Sequence, residues 1–210
     1  MKRIPHVDEA IEGPERAKEY AEHSERHAKI TNGPLIKDMK RLNPSGRCLE
    51  VGAGPAILTC WFAREFPNTM VTALDLSSDM VDFGRSRIMS EGINCRVDYQ
   101  VGDVGDAETL ERLGTFDFVF SSMSMHHWKN PKASLEHLLA VVKPGGRLYI
   151  GDLRRVWWLY YLPVNNGLFK SIRAAFLPRE IKDMLNGLPI AGLDIQCIPP
   201  YFFQSITVTK

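Results

Sequence analysis

The stretch with the clearest chemical potential is residues 48–56, CLEVGAGPA. An apolar run ends in Glu50, and Gly52 and Gly54 then precede a predicted helix over residues 57–66. Glycines in a strand-to-helix turn adopt backbone angles that other residues avoid, and without a Cβ they let a ligand lie against the main chain. The pattern predicts a nucleotide-cofactor site, and a tight turn without a ligand is the simpler alternative.

The spacing of the glycines discriminates between cofactors. A dinucleotide fingerprint has the pattern G-x-G-x-x-G, but Ile57 occupies its third glycine position. The pattern acidic-x-G-x-G-x-G fits better, because Glu50, Gly52 and Gly54 are in place and Ala56 stands at the last glycine. A nicotinamide dehydrogenase is therefore disfavoured.

A second carboxylate follows the next predicted strand. Asp75 closes the apolar run 70–75 and comes 75 − 54 = 21 residues after Gly54. We expect it at the carboxyl end of the strand beside the glycine turn, since neighbouring parallel strands end at the same edge of a sheet. There it could accept hydrogen bonds from both ribose hydroxyls. The alternative is a helix N-cap, although Ser77 or Ser78 could serve as the cap instead.

At these positions the chain resembles the class I S-adenosylmethionine-dependent methyltransferases, and the resemblance extends from about residue 45 to residue 209. It implies an α/β fold, with a Rossmann-like, seven-stranded, mostly parallel sheet of order 3-2-1-4-5-7-6, an antiparallel strand 7 and helices on both faces. It also implies S-adenosyl-L-methionine as the cofactor. The expected cofactor-binding residues are Glu50, Gly52, Ala53, Gly54, Asp75, Leu76, Met80, Asp103, Val104, Ser121 and Tyr20.

Individual roles follow for some of these residues. Leu76 and Met80 are expected to flank the adenine. Asp103 follows the third predicted strand, at 95–101, and matches the acidic position that the family places against the adenine amino group. The resemblance also implies an N-terminal helix that covers the cofactor, with Tyr20 as the aromatic residue facing it.

The segment 121–131, SSMSMHHWKNP, resembles the small-molecule branch of the family, which includes the quinone-biosynthesis methyltransferases. His126 and His127 could position or deprotonate an acceptor, because histidine titrates near neutral pH. Packing against Trp128 is the alternative for either histidine, and His127 is the preferred catalytic residue. By the resemblance, the Ser121 backbone would contact the amino-acid end of the cofactor.

Asp152 is the third candidate catalytic residue. It ends the predicted fifth strand, 147–152, at the edge where open α/β sheets bind ligands. It could orient an acceptor, or it could pair with Arg154 or Arg155.

Segment 156–163, VWWLYYLP, contains four aromatic residues in five positions, and basic residues flank it. Substrate-binding insertions in the resembled family commonly follow the fifth strand, so a wall for an apolar or aromatic acceptor within 154–176 is the first interpretation. A homodimer contact is the second, and peripheral contact with a membrane interface is the third. Core packing stays open for half of these side chains.

The remaining sequence defines a two-part organisation. Residues 1–44 are predicted as a helical lid with helices at 15–30 and 35–42, and residues 45–210 as the cofactor-binding domain. His23 and His27 share a helical face, but no third ligand is evident nearby, so no metal site is predicted.

Composition restricts the function classes. The net charge of +1 gives no reason to expect nucleic acid as a partner, and the four scattered cysteines are typical of a reduced, cytoplasmic protein. Neither a signal peptide nor a membrane span is expected. The predicted function is methyl transfer to a small, apolar or aromatic acceptor. The alternatives are a non-catalytic, cofactor-binding partner subunit and a non-methyl transfer reaction on the same fold.

Overall fold

The apolar runs of the sequence form the strands of a single sheet in the computed structural model, which describes residues 1–5 and 11–210. The strands are β1 (Gly46–Val51), β2 (Thr69–Asp75), β3 (Val97–Val101), β4 (Phe116–Ser122), β5 (Val142–Leu153), β6 (Gly192–Ile198) and β7 (Phe203–Thr209). Their order is β3-β2-β1-β4-β5-β7-β6. Strands β1 to β5 are parallel, and β7 is antiparallel to β5 and β6, which confirms the predicted topology.

Helices cover both faces of this sheet. They are α1 (Pro14–Lys40), α2 (Ile57–Glu65), α3 (Ser78–Ser90), α4 (Ala107–Arg112), α5 (Pro131–Val141), α6 (Trp157–Tyr160), α7 (Gly167–Ala174) and α8 (Pro178–Leu185), with a 3-10 turn at Met125–His127. One apolar cluster joins α1, α2 and α3 to the sheet, and Phe62 is fully buried in it. The second joins α4, α5 and α8 to the sheet around residues such as Leu135.

The register brings the carboxyl ends of the parallel strands together. Val51 pairs with Leu74 on one side and with Ser121 on the other. Asp75 pairs with Val101 at the end of β3. The loops that follow these strands therefore meet at one edge of the sheet, which is where ligands bind in open α/β sheets.

The N-terminal region differs from the expectation. The structure has one helix, α1, where two were predicted, and Pro34 lies inside it. Ala17, Ala21 and Ala28 are buried along the same helix, so small side chains give α1 a packed face that a search for large apolar residues overlooks. Residues 6–10 of the predicted 1–44 lid lie outside the described residues. The division into a lid and a cofactor domain stays a prediction.

Strand β5 begins earlier than expected. The fifth strand was predicted over residues 147–152, but it starts at Val142, opposite Phe116. The register shifts between Phe116 and Phe118, and Gly145 has φ +77°. This irregularity accommodates the additional residues within the ladder, so Gly145 and Gly146 lie inside the strand.

Of the helices formed by residues 1–5 and 11–210, none has the length and apolar character that crossing a membrane requires.

Candidate functional site

The glycine turn after β1 has an unusual backbone. Gly52 and Gly54 have φ values of +70° and +53°, in the region that favours glycine. A Cβ on Gly52 would lie 2.5 Å from Ser124 Oγ, so this position also has no room for a side chain. Ala56, which replaces the third glycine of the pattern, has φ +57° and is fully buried. A left-handed conformation costs a residue with a Cβ about 1–2 kcal/mol, which the surrounding packing must offset.

A cavity of about 530 Å³ opens beside this turn, at the carboxyl ends of β1, β2, β3 and β4. The volume lies in the range of small-molecule and cofactor sites. Among the predicted site residues, those on its wall are Tyr20, Gly52, Gly54, Asp75, Leu76, Met80, Asp103, Val104 and His127. The structure therefore brings together side chains that are separated by up to 107 residues in the sequence (127 − 20 = 107).

Asp75 joins β2 to the glycine turn. Its Oδ2 accepts a hydrogen bond from the Gly54 N–H at 2.8 Å, and its Oδ1 accepts one from the Ser77 N–H at 3.0 Å. Burial raises the pKa of Asp75, and these backbone hydrogen bonds oppose the shift. A carboxylate oxygen can accept a second hydrogen bond, so the carboxylate can hold the turn and still bind hydroxyl groups. Ser77, not Asp75, is the N-cap of α3, since its Oγ accepts from Met80 N–H at 3.2 Å.

Asp103 also lies on the cavity wall, after β3. Its Oδ1 accepts a hydrogen bond from the Gly105 N–H at 2.7 Å, which fixes the turn after β3. Asp106, three residues later, caps α4 by accepting from the Glu108 N–H at 3.1 Å. The two aspartates thus have separate tasks.

Glu50 lies beneath the glycine turn and is not among the residues on the cavity wall. Its side chain is buried, and its Oε2 has no hydrogen-bond partner among the described residues. Burial raises the pKa of Glu50 to about 8, against a smaller opposing effect of the Thr59 hydroxyl. An orphaned, buried acceptor of this kind is typical of a position that a cationic or donating ligand group completes.

Ala53 and Ser121 are also buried and absent from the described cavity wall. Ser121 donates its hydroxyl to the Val51 carbonyl at 3.0 Å, which ties β4 to the end of β1. The predicted cofactor contacts of Ala53 and Ser121 stay predictions.

His126 and Asp152 form a buried pair instead of facing the cavity. Asp152 accepts from the His126 N–H at 3.0 Å and contacts His126 Nδ1 at 2.6 Å. The sequence left open a pairing of Asp152 with Arg154 or Arg155, and the structure pairs it with His126 instead. Arg155 pairs with Glu180 at 2.5 Å, and Arg154 donates to the Tyr201 carbonyl at 3.0 Å. The catalytic roles of His126 and Asp152 stay predictions.

His127 is the histidine on the cavity wall. Its backbone N–H donates to the Ser124 carbonyl at 2.9 Å, and its ring lies 4.0 Å from the ring of His126. Trp128 Nε1 donates to Ser124 Oγ at 2.8 Å. Ser124 thus holds the 3-10 turn and packs against Gly52. Ser124 was not among the site residues predicted from the sequence. Its position just after β4, at the edge of the sheet where ligands bind, could have indicated a role in the site.

Two segments were predicted to enclose the site, the N-terminal helix and residues 154–176, and only the helix contributes to the described cavity wall. Tyr20 lies on the cavity wall from α1, and a Cβ on Gly54 would lie 3.9 Å from its Cε1. The cavity wall includes no residue of 154–176. The predicted acceptor wall of this segment therefore does not adjoin the described cavity, and Trp157 and Tyr161 are exposed.

Comparisons with known proteins agree with this geometry. Residues 48–146 match the family model described as a methyltransferase domain. The chain is 35% identical over 116 residues to the ubiquinone biosynthesis O-methyltransferase of Xanthomonas axonopodis pv. citri. The aligned region covers 55% of this chain and 46% of that protein. It is 34% identical over 156 residues to the Xanthomonas oryzae pv. oryzae protein of that name, covering 72% and 62%. The chain spans about half the length of the first of these relatives.

The fold comparisons extend further along the chain. A solved SAM-dependent methyltransferase from Aquifex aeolicus matches with a TM-score of 0.70 and 16% identity, over 94% of this chain and 98% of that one. The plantazolicin methyltransferase BpumL, solved with SAH, matches with a TM-score of 0.74 and 13% identity, over 94% and 91%. At these identities the likeness shows the fold alone. Together with the family-model match, the sequence matches confirm the resemblance seen in the sequence.

Proposed function

We propose that this chain transfers a methyl group from S-adenosylmethionine to a small molecule. Residues 48–146 match the methyltransferase domain model, and the chain is similar to curated methyltransferases. The observation that carries the proposal is the cavity in which Gly52, Gly54 and Asp75 meet Asp103 and His127 at the strand ends.

The residues at the site fit this cofactor. Gly52 and Gly54 leave the main chain accessible at the turn, and the Asp75 carboxylate retains acceptor capacity for two ribose hydroxyls. Hydrogen bonds to a charged group are worth about 1.5–3 kcal/mol each. Glu50, with its orphaned Oε2, is suited to the charged amino-acid end of the cofactor.

The base would lie between apolar and acidic residues. Leu76 and Met80 present apolar surface on the cavity wall, and Asp103 supplies an acceptor for an exocyclic amine. Val104 completes that part of the wall, and Tyr20 covers the glycine turn from α1. These roles are the ones proposed from the sequence.

When bound, the cofactor supplies an activated sulfonium methyl group. The protein must then hold the acceptor in line and exclude water, and such placement is worth roughly 7–11 kcal/mol. His127, on the cavity wall, is our candidate general base for an acceptor that must lose a proton.

We propose an apolar or aromatic acceptor with an oxygen or carbon nucleophile. The names of the relatives, which include ubiquinone biosynthesis O-methyltransferases and a ubiquinone/menaquinone biosynthesis C-methyltransferase, support this class. A net charge of +1 gives no support to nucleic acid as an acceptor. A homodimer and a cytoplasmic location stay predictions.

Calorimetric titration separates the cofactor classes. S-adenosylhomocysteine should bind the wild type and NAD should not. Asp75→Asn should weaken S-adenosylhomocysteine binding by roughly 10- to 100-fold, because the amide of asparagine has one acceptor oxygen where the carboxylate has two. Asp98→Asn, at an exposed position on β3, is the matched control and should bind as the wild type does. Equal affinity of the two variants would remove Asp75 from the site.

Turnover is tested by a label-transfer screen over phenols, quinols, thiols and amines with methyl-labelled cofactor. Methylation of a phenol or quinol supports the proposal. Tight cofactor binding without transfer to any class would favour a non-catalytic partner subunit. Consumption of the cofactor without methylation would favour a different transfer reaction.

A further inference from the structure

A continuous group of exposed apolar side chains lies on α6, α7 and the loop between them. Trp157 is 67% exposed and Tyr161 is 70% exposed, which is rare for residues that bury large areas in most folded proteins. We call this surface the aromatic patch. Its members are Trp157, Trp158, Tyr161, Leu162, Val164 and Leu168. The patch does not belong to the described wall of the proposed cofactor cavity.

The loop that carries the patch has a defined shape. Arg173 donates to the carbonyl oxygens of Tyr160, Leu162 and Val164 at 3.2, 2.6 and 2.9 Å. Because one guanidinium binds three carbonyls, the backbone turns inward and the apolar side chains between them point outward. The exposure of the patch is therefore built into the fold.

The N-terminal residues adjoin this surface. The Tyr160 hydroxyl donates to the Lys2 carbonyl at 2.8 Å, and the Ile4 N–H donates to the Arg173 carbonyl at 3.0 Å. Lys2 and Ile4 are both exposed. A further cation and a further apolar side chain thus lie beside the patch.

The charged residues of the segment that carries the patch are all basic. Residues 153–179 contain five basic residues and no aspartate or glutamate, in a chain that has 25 acidic residues among 210. Arg155 is buried and paired with Glu180, and Arg173 is occupied by the loop carbonyls. Lys170 is exposed on α7, and Arg154 and Lys2 add charge nearby. Exposed tryptophan and tyrosine beside exposed lysines match the headgroup level of a lipid bilayer.

We propose that the aromatic patch binds the surface of an anionic lipid bilayer, with its aromatic side chains at the headgroup level and Lys2 and Lys170 against lipid phosphates. A second copy of this chain fits the same surface less well. A twofold interface would bring each patch against itself, and the cations would then face each other without any carboxylate from 153–179 to pair with. The proposal does not depend on methyl transfer.

The test is co-sedimentation with vesicles of phosphatidylcholine, with and without about 30 mol% phosphatidylglycerol. The wild type should bind the anionic vesicles, and binding should fall as salt is raised. The double variant Trp157→Ser, Trp158→Ser should bind at least about tenfold more weakly, because it removes the largest apolar side chains of the patch. Lys170→Gln should weaken binding to anionic vesicles about fivefold and leave binding to neutral vesicles unchanged.

Met89→Ser is the matched control, because Met89 is 69% exposed on α3, outside the patch. It should bind vesicles as the wild type does. Equal binding by the tryptophan double variant and the wild type would overturn the proposal. So would a dimer in sedimentation velocity that the tryptophan substitutions dissociate, since the patch would then be occupied by a second copy.

Discussion

Replacing Glu50 by glutamine should change how stability depends on pH. Glu50 is buried beneath the glycine turn, and burial raises its pKa from 4.5 to about 8. Between these values the unfolded chain releases the proton and the folded chain keeps it. The unfolded state therefore binds fewer protons, and the free energy of unfolding falls as the pH rises through this window. Glutamine has nearly the same shape and does not titrate.

The magnitude follows from the width of the window. The shift spans 8 − 4.5 = 3.5 units, which at about 1.36 kcal/mol per unit gives an upper bound of about 5 kcal/mol. Between pH 5 and pH 7 the Glu50→Gln variant should gain about 2.5 kcal/mol relative to the wild type. A fixed offset between the two proteins, from the new amide group, does not affect this slope.

Urea unfolding of both proteins at pH 5, 6 and 7 measures the slope directly. Glu136→Gln, at an exposed position on α5, is the control and should show no such slope. A Glu50→Gln difference that changes by less than about 0.5 kcal/mol over this range would show that the carboxyl group is not desolvated as the structure has it. Saturating S-adenosylhomocysteine should flatten the slope if Glu50 binds its ammonium group, because a neighbouring cation lowers the carboxyl pKa.

Three further substitutions test the packing and the chemistry of the site. Gly84→Ala would place a Cβ against the Tyr99 ring, and urea unfolding should show a loss of about 1–3 kcal/mol. Asp152→Ala would leave the buried donors of His126 without their acceptor, with an expected loss of about 3 kcal/mol in the same assay. His127→Ala should lower kcat, measured with an accepted substrate, by roughly 10²–10⁴-fold and remove the acidic limb of the pH–rate profile. A decrease in kcat of less than about threefold would exclude His127 as a general base.

The positions of the strands were predictable because their signals are local, whereas the order of the strands came from the family resemblance. Short apolar runs mark β1, β2 and β4, and markers follow the strand ends, such as the glycine turn after Val51 or the carboxylate of Asp75. Since parallel strands end at one edge, these markers had to converge, and Asp103 joins them in the cavity wall. The meeting of these residues at one edge could therefore be predicted without knowing how the side chains pack.

The failures of sequence interpretation involve partners that are distant in the chain. Helix α1 continues through Pro34 and has buried residues on both sides of it, such as Ala28 and Leu35, and local propensity does not register this tertiary packing. Asp152 has two arginines as sequence neighbours, but its partner is His126, 26 residues away. Ser124 lies against Gly52 just beyond the carboxyl ends of the neighbouring strands β4 and β1. None of these contacts leaves a periodic pattern in the sequence.

The position of the family match separates two kinds of feature in this chain. Apart from Ile11 and Tyr20, the described cavity wall lies within the matched residues 48–146, whereas the aromatic patch lies outside them. Cofactor affinity should therefore depend on the matched part, and any preference for a surface or an acceptor should depend on the segments added to it. Substitutions in the patch should leave the dissociation constant for S-adenosylhomocysteine unchanged, because the described cavity has no wall residue from 154–176. Calorimetric titration of the Trp157→Ser, Trp158→Ser variant checks this, and a weaker affinity would show that the two parts are coupled.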